Sequence, residues 1–283
     1  MNILLFLVRR FIAGETFGQA KEVIKRLNDE GFLVTIDILG ESVTNKELAE
    51  NARDTYIELL RNISVLGLIS NVSLKLSQMG LDIDDSFCYE NVIKIVETAF
   101  EYKNFVRIDM EGSRYTQKTI DIFEKIHRDY PENIGMVIQS YLYRSKSDTA
   151  HAIENRHCIR LCKGAYKEPP DIAYPDKRDV NKNYEDMAKE LLLKGNYPAI
   201  ATHDERLITI AKSFALANNI LKDRIEFQML YGIRRKLQKS LVNEGYRVRI
   251  YVPYGTHWLP YAIRRIRERK ENLWFVLKNI FRG

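Results

Sequence analysis

The chain has 283 residues, of which 45% are hydrophobic and 29% charged, with only 14 glycines and 7 prolines. That balance supports a folded chain with a sizeable core and excludes a collagen-like or largely disordered one. The formal charge of +6, from 44 basic and 38 acidic side chains, is mild and mixed in sign, so no dedicated nucleic-acid partner is expected.

The chain opens with Met1-Asn2-Ile3-Leu4-Leu5-Phe6-Leu7-Val8-Arg9-Arg10. The apolar run is short, no basic residue precedes it and no small-residue cleavage site follows, so it reads as the first turns of a packed helix and not as a secretory signal. A weak contact with a membrane surface is the alternative. No segment approaches the ~18 apolar residues that a spanning helix needs. Residues 1–30 together read as a helical extension. Strand-like runs then follow at 32–39, 70–76, 105–110, 134–139, 157–162, 198–202, 224–230 and 246–252. Amphipathic helical patterns lie between them, near 45–66, 86–103, 116–129, 146–155, 181–194, 205–218 and 232–243, with a last one near 260–271. Cys88, Cys158 and Cys162 cannot all pair and match no zinc spacing, so a reducing cytoplasmic compartment and no metal centre are expected.

Regular alternation of strand and helix requires crossover connections and a parallel sheet. About eight such units select a closed α/β barrel, a (βα)8 TIM-like barrel over residues 31–283, with 1–30 as its extension and the last helix over the mouth. Active sites of such barrels sit where the strands end. Here the strand ends carry Asp37 and Glu41, Lys75, Asp109 and Glu111, Gln139, Arg160 and Lys163, Thr202 and His203, Gln228, and Tyr251. Charges buried in apolar strands are costly unless paired or ligand-bound. A set of structural ion pairs closing the barrel is one reading; for the whole set, a polar pocket is the better one.

The chain has neither a dinucleotide-binding glycine fingerprint nor a phosphate-binding loop, so a nucleotide cofactor would have to use the barrel loops. Arg160-Leu161-Cys162-Lys163-Gly164-Ala165-Tyr166 sets two cations before a glycine that lets backbone approach a ligand, which suits a phosphate or a flavin edge. Arg264 and Arg265 are fitted to grip a small carboxylate beside Lys75, although a solvated basic face is the plainer reading of the run Arg264 to Lys270 and of Arg234, Arg235, Lys236 and Lys239.

SLKLS at 73–77, RIDMEG at 107–112, QSYLYR at 139–144, RLCKGAY at 160–166, ATHDERLI at 201–208, FQMLYG at 227–232 and RIYVPYGTHWLPYAIRRIRE at 249–268 resemble, in order, the proline dehydrogenase family, and the monofunctional bacterial type in particular. The resemblance implies an FAD-dependent oxidation of L-proline to Δ1-pyrroline-5-carboxylate, with electrons passed to a quinone at the membrane surface and a separate pyrroline-5-carboxylate dehydrogenase as a possible partner. It implies a cytoplasmic enzyme, or one peripheral at the inner membrane. By resemblance, Lys75, Arg264 and Arg265 hold the proline carboxylate, while Tyr166, Leu230, Tyr251 and Tyr261 pack around the ring. Asp109 lies beside Lys75 and the substrate; Arg160, Asp109 and Tyr251 form the catalytic group. Gln139 and Arg160 face the polar edge and N5 of the flavin. Lys163, Gly164, Ala165, Thr202 and His203 take the rest of the cofactor, with Gln228 and Glu268 as further contacts. Glu41 resembles a gate residue that pairs with an arginine of the last helix. Lys167 stands where some members keep an aromatic residue. A sugar-phosphate barrel enzyme and a nucleic-acid or membrane-binding protein are the competing readings.

Overall fold

The computed structural model describes residues 10–259 and 261. The expected first helical turns at residues 1–9, the helix over the mouth, and Arg264, Arg265 and Glu268 lie outside the described residues. Eight parallel strands close on one another in sequence order. They are β1 (Leu33–Ile38), β2 (Ser70–Leu74), β3 (Val106–Ile108), β4 (Ile134–Gln139), β5 (Ile159–Cys162), β6 (Ala199–Ala201), β7 (Glu226–Leu230) and β8 (Arg247–Tyr254). The first and last strands pair from Leu33 opposite Arg249 to Ile38 opposite Tyr254, which seals the ring. Around it run α1 (Phe17–Asp29), α2 (Lys46–Val65), α3 (Asp85–Glu101), α4 (Thr116–His127), α5 (Ser145–Glu154), α6 (Lys177–Lys194), α7 (Glu205–Ala217) and α8 (Arg235–Asn243).

Helix starts follow from local chemistry. Thr16, Asn45, Asp84, Asp176 and Asp204 each sit in extended backbone and accept a first-turn N–H on a side-chain oxygen, so the leading donors of α1, α2, α3, α6 and α7 are not left bare. Because Asp176 is a cap, α6 begins four residues before the apolar periodicity at 181 suggests. The helix expected from 232 starts only at Arg235, since Gly232 and Arg234 both take positive φ, at 75° and 52°, and form the turn before it. Likewise, the extension is helical only from Phe17 within the described residues. Before it, Ala13 N–H donates to Pro253 O at 2.9 Å and Gly255 N–H to Gly14 O at 3.0 Å, so the segment is laced to the end of β8.

Alternation along the strands divides the side chains between two environments. Val34, Ile36, Val72, Leu74, Val106, Ile108, Phe227, Val248, Ile250 and Val252 face the helices and join Ile24, Tyr56, Leu60, Ile95 and Phe123 in one continuous core. The intervening residues meet inside the ring and are largely polar. Most of the charges among them are balanced by another; Arg107 is held instead by the carbonyls of Met136, at 3.0 Å, and Cys158, at 2.5 Å.

Truncation of Leu60, fully buried on α2, to alanine is expected to cost about 2–5 kcal/mol. The same change at Leu216, 80% exposed at the end of α7, should stay within about 0.5 kcal/mol. Urea denaturation of both variants checks the pair, and equal losses would contradict the assigned core.

Candidate active site

Asp109, just past β3, is the hub of the upper barrel. Its Oδ1 accepts from Arg160 Nη1 at 2.7 Å and from Ser73 Oγ at 2.6 Å. Its Oδ2 accepts from the Tyr251 hydroxyl at 2.7 Å and lies 3.5 Å from Lys75 Nζ. Lys75 turns its strongest contact to Asp37, at 3.0 and 3.2 Å from the two carboxylate oxygens. Arg160 reaches across to β7, where its Nε donates to Gln228 Oε1 at 2.5 Å, and its guanidinium lies 5.4 Å from the centre of the Tyr251 ring. Two carboxylates and two cations thus balance inside the ring.

The electrostatics follow from that balance. Burial would raise the Asp109 carboxyl, but Lys75 and Arg160, with the hydrogen bonds from Ser73 and Tyr251, outweigh it and hold Asp109 below the usual carboxylate range. Burial carries Asp37 the other way, upward, despite Lys75. Lys75 loses to burial less than it gains from Asp37 and Asp109, so its pKa rises and it remains a cation. Burial, with Asp109 adding to it, pushes the Tyr251 phenol well above its ordinary value, so the hydroxyl stays protonated.

Above this network opens a cleft of about 430 Å³. Lys75, Asp109, Gln139, Arg160, Lys163, Gly164, Ala165, Tyr166, Thr202, His203, Gln228, Leu230, Tyr251 and Tyr261 all line it, which brings together every sequence-expected site residue that the structure describes apart from Glu41. Glu41 lies in the loop after β1, outside the lining. Two strand-end residues do not contribute surface. Asp37 sits beneath Lys75, and Glu111 turns to the loop after β2, accepting from Ser77 N–H at 2.9 Å and Ser77 Oγ at 2.5 Å.

One wall fits a cofactor with a polar edge. Arg160 Nη2 and Gln139 Oε1 are buried and have no hydrogen-bond partner among the described residues. Gln139 Nε2 donates to Met110 O at 3.2 Å, so the amide presents oxygen. A buried donor and a buried acceptor thus await partners beside the apolar Val137, Met110 and Met229. At the rim, Gly164 takes φ +106°, and a Cβ there would stand 2.2 Å from the Tyr141 ring. Tyr141 is braced by its hydroxyl on Glu168, 3.3 Å away, and Glu168 also takes Ser113 N–H at 2.7 Å. Lys163 Nζ is 2.8 Å from Asp204 Oδ2. His203 Nε2 accepts from Leu230 N–H at 2.9 Å, which puts the ring proton of the neutral imidazole on Nδ1.

Some functional residues carry no role in the sequence reading. Asp204 joins cap to site, holding both the start of α7 and Lys163, and an acidic residue just before a periodic helix is a legible cap signal. Ser73 and Cys162 could be placed only by knowing which strand residues face inward; Ser73 donates to Asp109, and Cys162 lines the cleft.

A family model described as proline dehydrogenase matches residues 20–278. The chain is 43% identical over 271 residues to "Proline dehydrogenase 2" of Bacillus subtilis, covering 96% of this chain and 89% of that protein. It is 42% identical over 281 residues to "Proline dehydrogenase" of Deinococcus radiodurans, covering 98% and 91%. The fold matches proline utilization A from Bdellovibrio bacteriovorus, inactivated by N-propargylglycine, with a TM-score of 0.88 and 28% identity, over 92% of this chain and 32% of that larger one.

Asp109 is below its unfolded pKa when folded, so its ionised form adds stability above about pH 3.9 and that contribution is lost as the pH falls through the folded value. Asp109→Asn, which leaves Arg160 without a carboxylate while Lys75 keeps Asp37, should cost about 3–5 kcal/mol at neutral pH. The gap to the unaltered chain should narrow in acid. Denaturation at pH 7 and at about pH 2.5, below the unfolded carboxylate value, measures it, and a gap that grows in acid would reverse the assigned sign.

Proposed function

The chain belongs to the proline dehydrogenase family and is an oxidoreductase that takes the first step of proline catabolism, and we propose that it does so with FAD held in the cleft above β3, β4, β5 and β7. Proline dehydrogenases are generally flavin-dependent. The observation that carries the cofactor assignment is the pair of buried, unpartnered atoms, Arg160 Nη2 and Gln139 Oε1, in the wall of one cleft. They supply a donor and an acceptor, as the edge of an isoalloxazine requires. Lys163, Gly164, Ala165, Thr202, His203 and Gln228 would hold the remainder of the cofactor, with Glu268 as a further contact. When bound, FAD supplies the hydride acceptor, and its electrons go on to a quinone.

The chain's own residues orient the substrate. Lys75 is a permanent cation at the cleft, but Asp37 and Asp109 already neutralise it together with Arg160. A proline carboxylate beside Lys75 therefore calls for further positive charge, and Arg264 and Arg265 are proposed to bring it. Tyr166, Leu230, Tyr251 and Tyr261 would enclose the pyrrolidine ring. The Tyr251 proton is committed to Asp109, so Tyr251 acts as a wall and not as a base. Arg160, fixed through Nε and Nη1, is proposed to stabilise negative charge as hydride leaves C5 of proline, and holding C5 against the acceptor is where proximity contributes most. The product would be Δ1-pyrroline-5-carboxylate, for use by a pyrroline-5-carboxylate dehydrogenase. Glu41, above β1, is proposed to pair with an arginine of the last segment and gate the cleft.

No helix among the described residues is long and apolar enough to cross a membrane. We propose that electrons reach a membrane quinone by peripheral contact of a cytoplasmic enzyme.

The purified chain should be yellow and should bleach on anaerobic addition of proline; a colourless protein that leaves proline unchanged would end this reading. Lys75→Met should raise KM for proline at least about tenfold, from the ~1.5–3 kcal/mol of a hydrogen bond to a charged group. An unaltered KM in steady-state assays would remove Lys75 from the carboxylate site.

A further inference from the structure

Below the cleft, a second ionic assembly closes the opposite end of the barrel. Glu226, the first residue of β7, is 1% exposed and does not line the upper cleft. It grips Arg249 of β8 in two places, Oε1 to Nε at 2.9 Å and Oε2 to Nη2 at 3.0 Å. Arg249 is anchored in turn by Nη1 on Val34 O at 2.7 Å. Tyr197 donates its hydroxyl to Glu226 Oε2 at 2.8 Å. Though burial opposes ionisation, Arg249 and the hydrogen bonds from Gln228 and Tyr197 hold the carboxyl below its usual range.

The remaining contact of Glu226 points upward. Gln228 Nε2 donates to Glu226 Oε1 at 2.5 Å, and Gln228 Oε1 accepts from Arg160 Nε at 2.5 Å. The two ends of an amide are nearly the same in shape, so its orientation is decided by its partners. An ionised carboxylate only accepts. It therefore takes the NH2 end of Gln228 and leaves the oxygen for the Arg160 guanidinium, which only donates. A rotated amide would set NH2 against N–H.

We propose that Glu226 is a positioning residue for the oxidation: from the barrel floor it sets the Gln228 amide, which locks Arg160 so that Nη2 faces the cofactor wall of the cleft. Asp109 fixes Nη1 and Gln228 fixes Nε, and the two together determine the plane of the guanidinium. The role of Glu226 is indirect, reaching the reaction through two side chains. This inference rests on the flavin reading of the cleft.

Glu226→Gln tests it, because the neutral amide keeps the volume but has one acceptor oxygen in place of two; Arg249 reaches both positions, so an NH2 now stands against one of its N–H groups and the fixed acceptor that sets Gln228 is lost. In the flavin-free full chain, the 15N-edited signal of the Arg160 Nε–H should lose its protection from solvent exchange. FAD affinity, read by quenching of flavin fluorescence, should fall about tenfold or more. The limiting rate of proline oxidation should fall with little change in KM, within the ~10²–10³-fold that loss of a whole oxyanion donor costs. The double variant Glu226→Gln with Gln228→Glu restores an obligate acceptor below Arg160 and conserves charge, so it should recover the Arg160 signal and most of the affinity. Should the single variant fail to fold, Gln228→Met keeps the Glu226–Arg249 pair and removes the link, and the Arg160 Nε–H signal of the flavin-free chain, which the cofactor contact of Gln228 does not touch, should show the same loss of protection.

A Glu226→Gln chain with an unchanged Arg160 signal and flavin affinity would overturn the proposal, as would a double variant no better than the single. A colourless unaltered chain would instead sink the flavin reading itself, so the two failures are distinguishable.

Discussion

A carboxylate buried among two cations and a phenol is the constraint on which the upper barrel is built. Taken alone, Asp109 would be driven out of its ionised form by burial, and Lys75 would face the same penalty. Together they satisfy one another, because Asp109 offers one oxygen to Arg160 and Ser73 and the other to Tyr251 and Lys75. The energetic return on such a buried cluster is small compared with hydrophobic replacements of equal volume. What it secures is position. Three side chains from three strands are held at fixed angles around the floor of one cleft.

Charge balance then shapes what the cleft can accept. The four ionised groups Asp37, Lys75, Asp109 and Arg160 sum to zero, so an anionic substrate must bring, or find, additional cations. The same balance leaves one nitrogen of Arg160 unused, and Gln139 contributes a matching buried acceptor across the wall. A fully satisfied interior would be a plain structural core. The incomplete satisfaction of these two atoms, both in the wall of one cleft, is what supports the proposed binding surface. Farther down, Glu226 and Arg249 repeat the pattern and join it through Gln228, so an ordered run of donors and acceptors extends from the barrel floor to the reaction chamber.

Much of this was legible in the sequence because the rule is geometric. Parallel barrels place chemistry at strand ends, and Lys75, Asp109, Gln139, Arg160, Lys163, Thr202 and His203, at or just past the ends of the apolar runs, line the cleft, whereas Ser70, Asn71 and Arg107 within the runs do not. Their pairing was not legible. Nothing local tells that Lys75 turns to Asp37, that Lys163 is tied to Asp204, or that Glu111 leaves the pocket for Ser77, since each partner comes from another strand or loop. Nor could backbone geometry be read from residue type alone. Gly164 is a plausible ligand-approach glycine from its motif, but the Tyr141 ring that forbids a side chain there lies on a different loop. Arg234, a non-glycine residue at positive φ, delays α8 by three residues against its own periodicity.

The cofactor and the imino acid are proposed to share one cleft and to meet at Lys75 and Arg160. A crystal structure of the FAD-loaded chain with a non-oxidisable cyclic carboxylate analogue of proline tests it most directly. The account requires the carboxylate within hydrogen-bonding distance of Lys75 Nζ, the ring against Tyr251, and Arg160 Nη2 on the flavin edge. A carboxylate bound away from Lys75, or a flavin whose polar edge touches neither Arg160 nor Gln139, would contradict it.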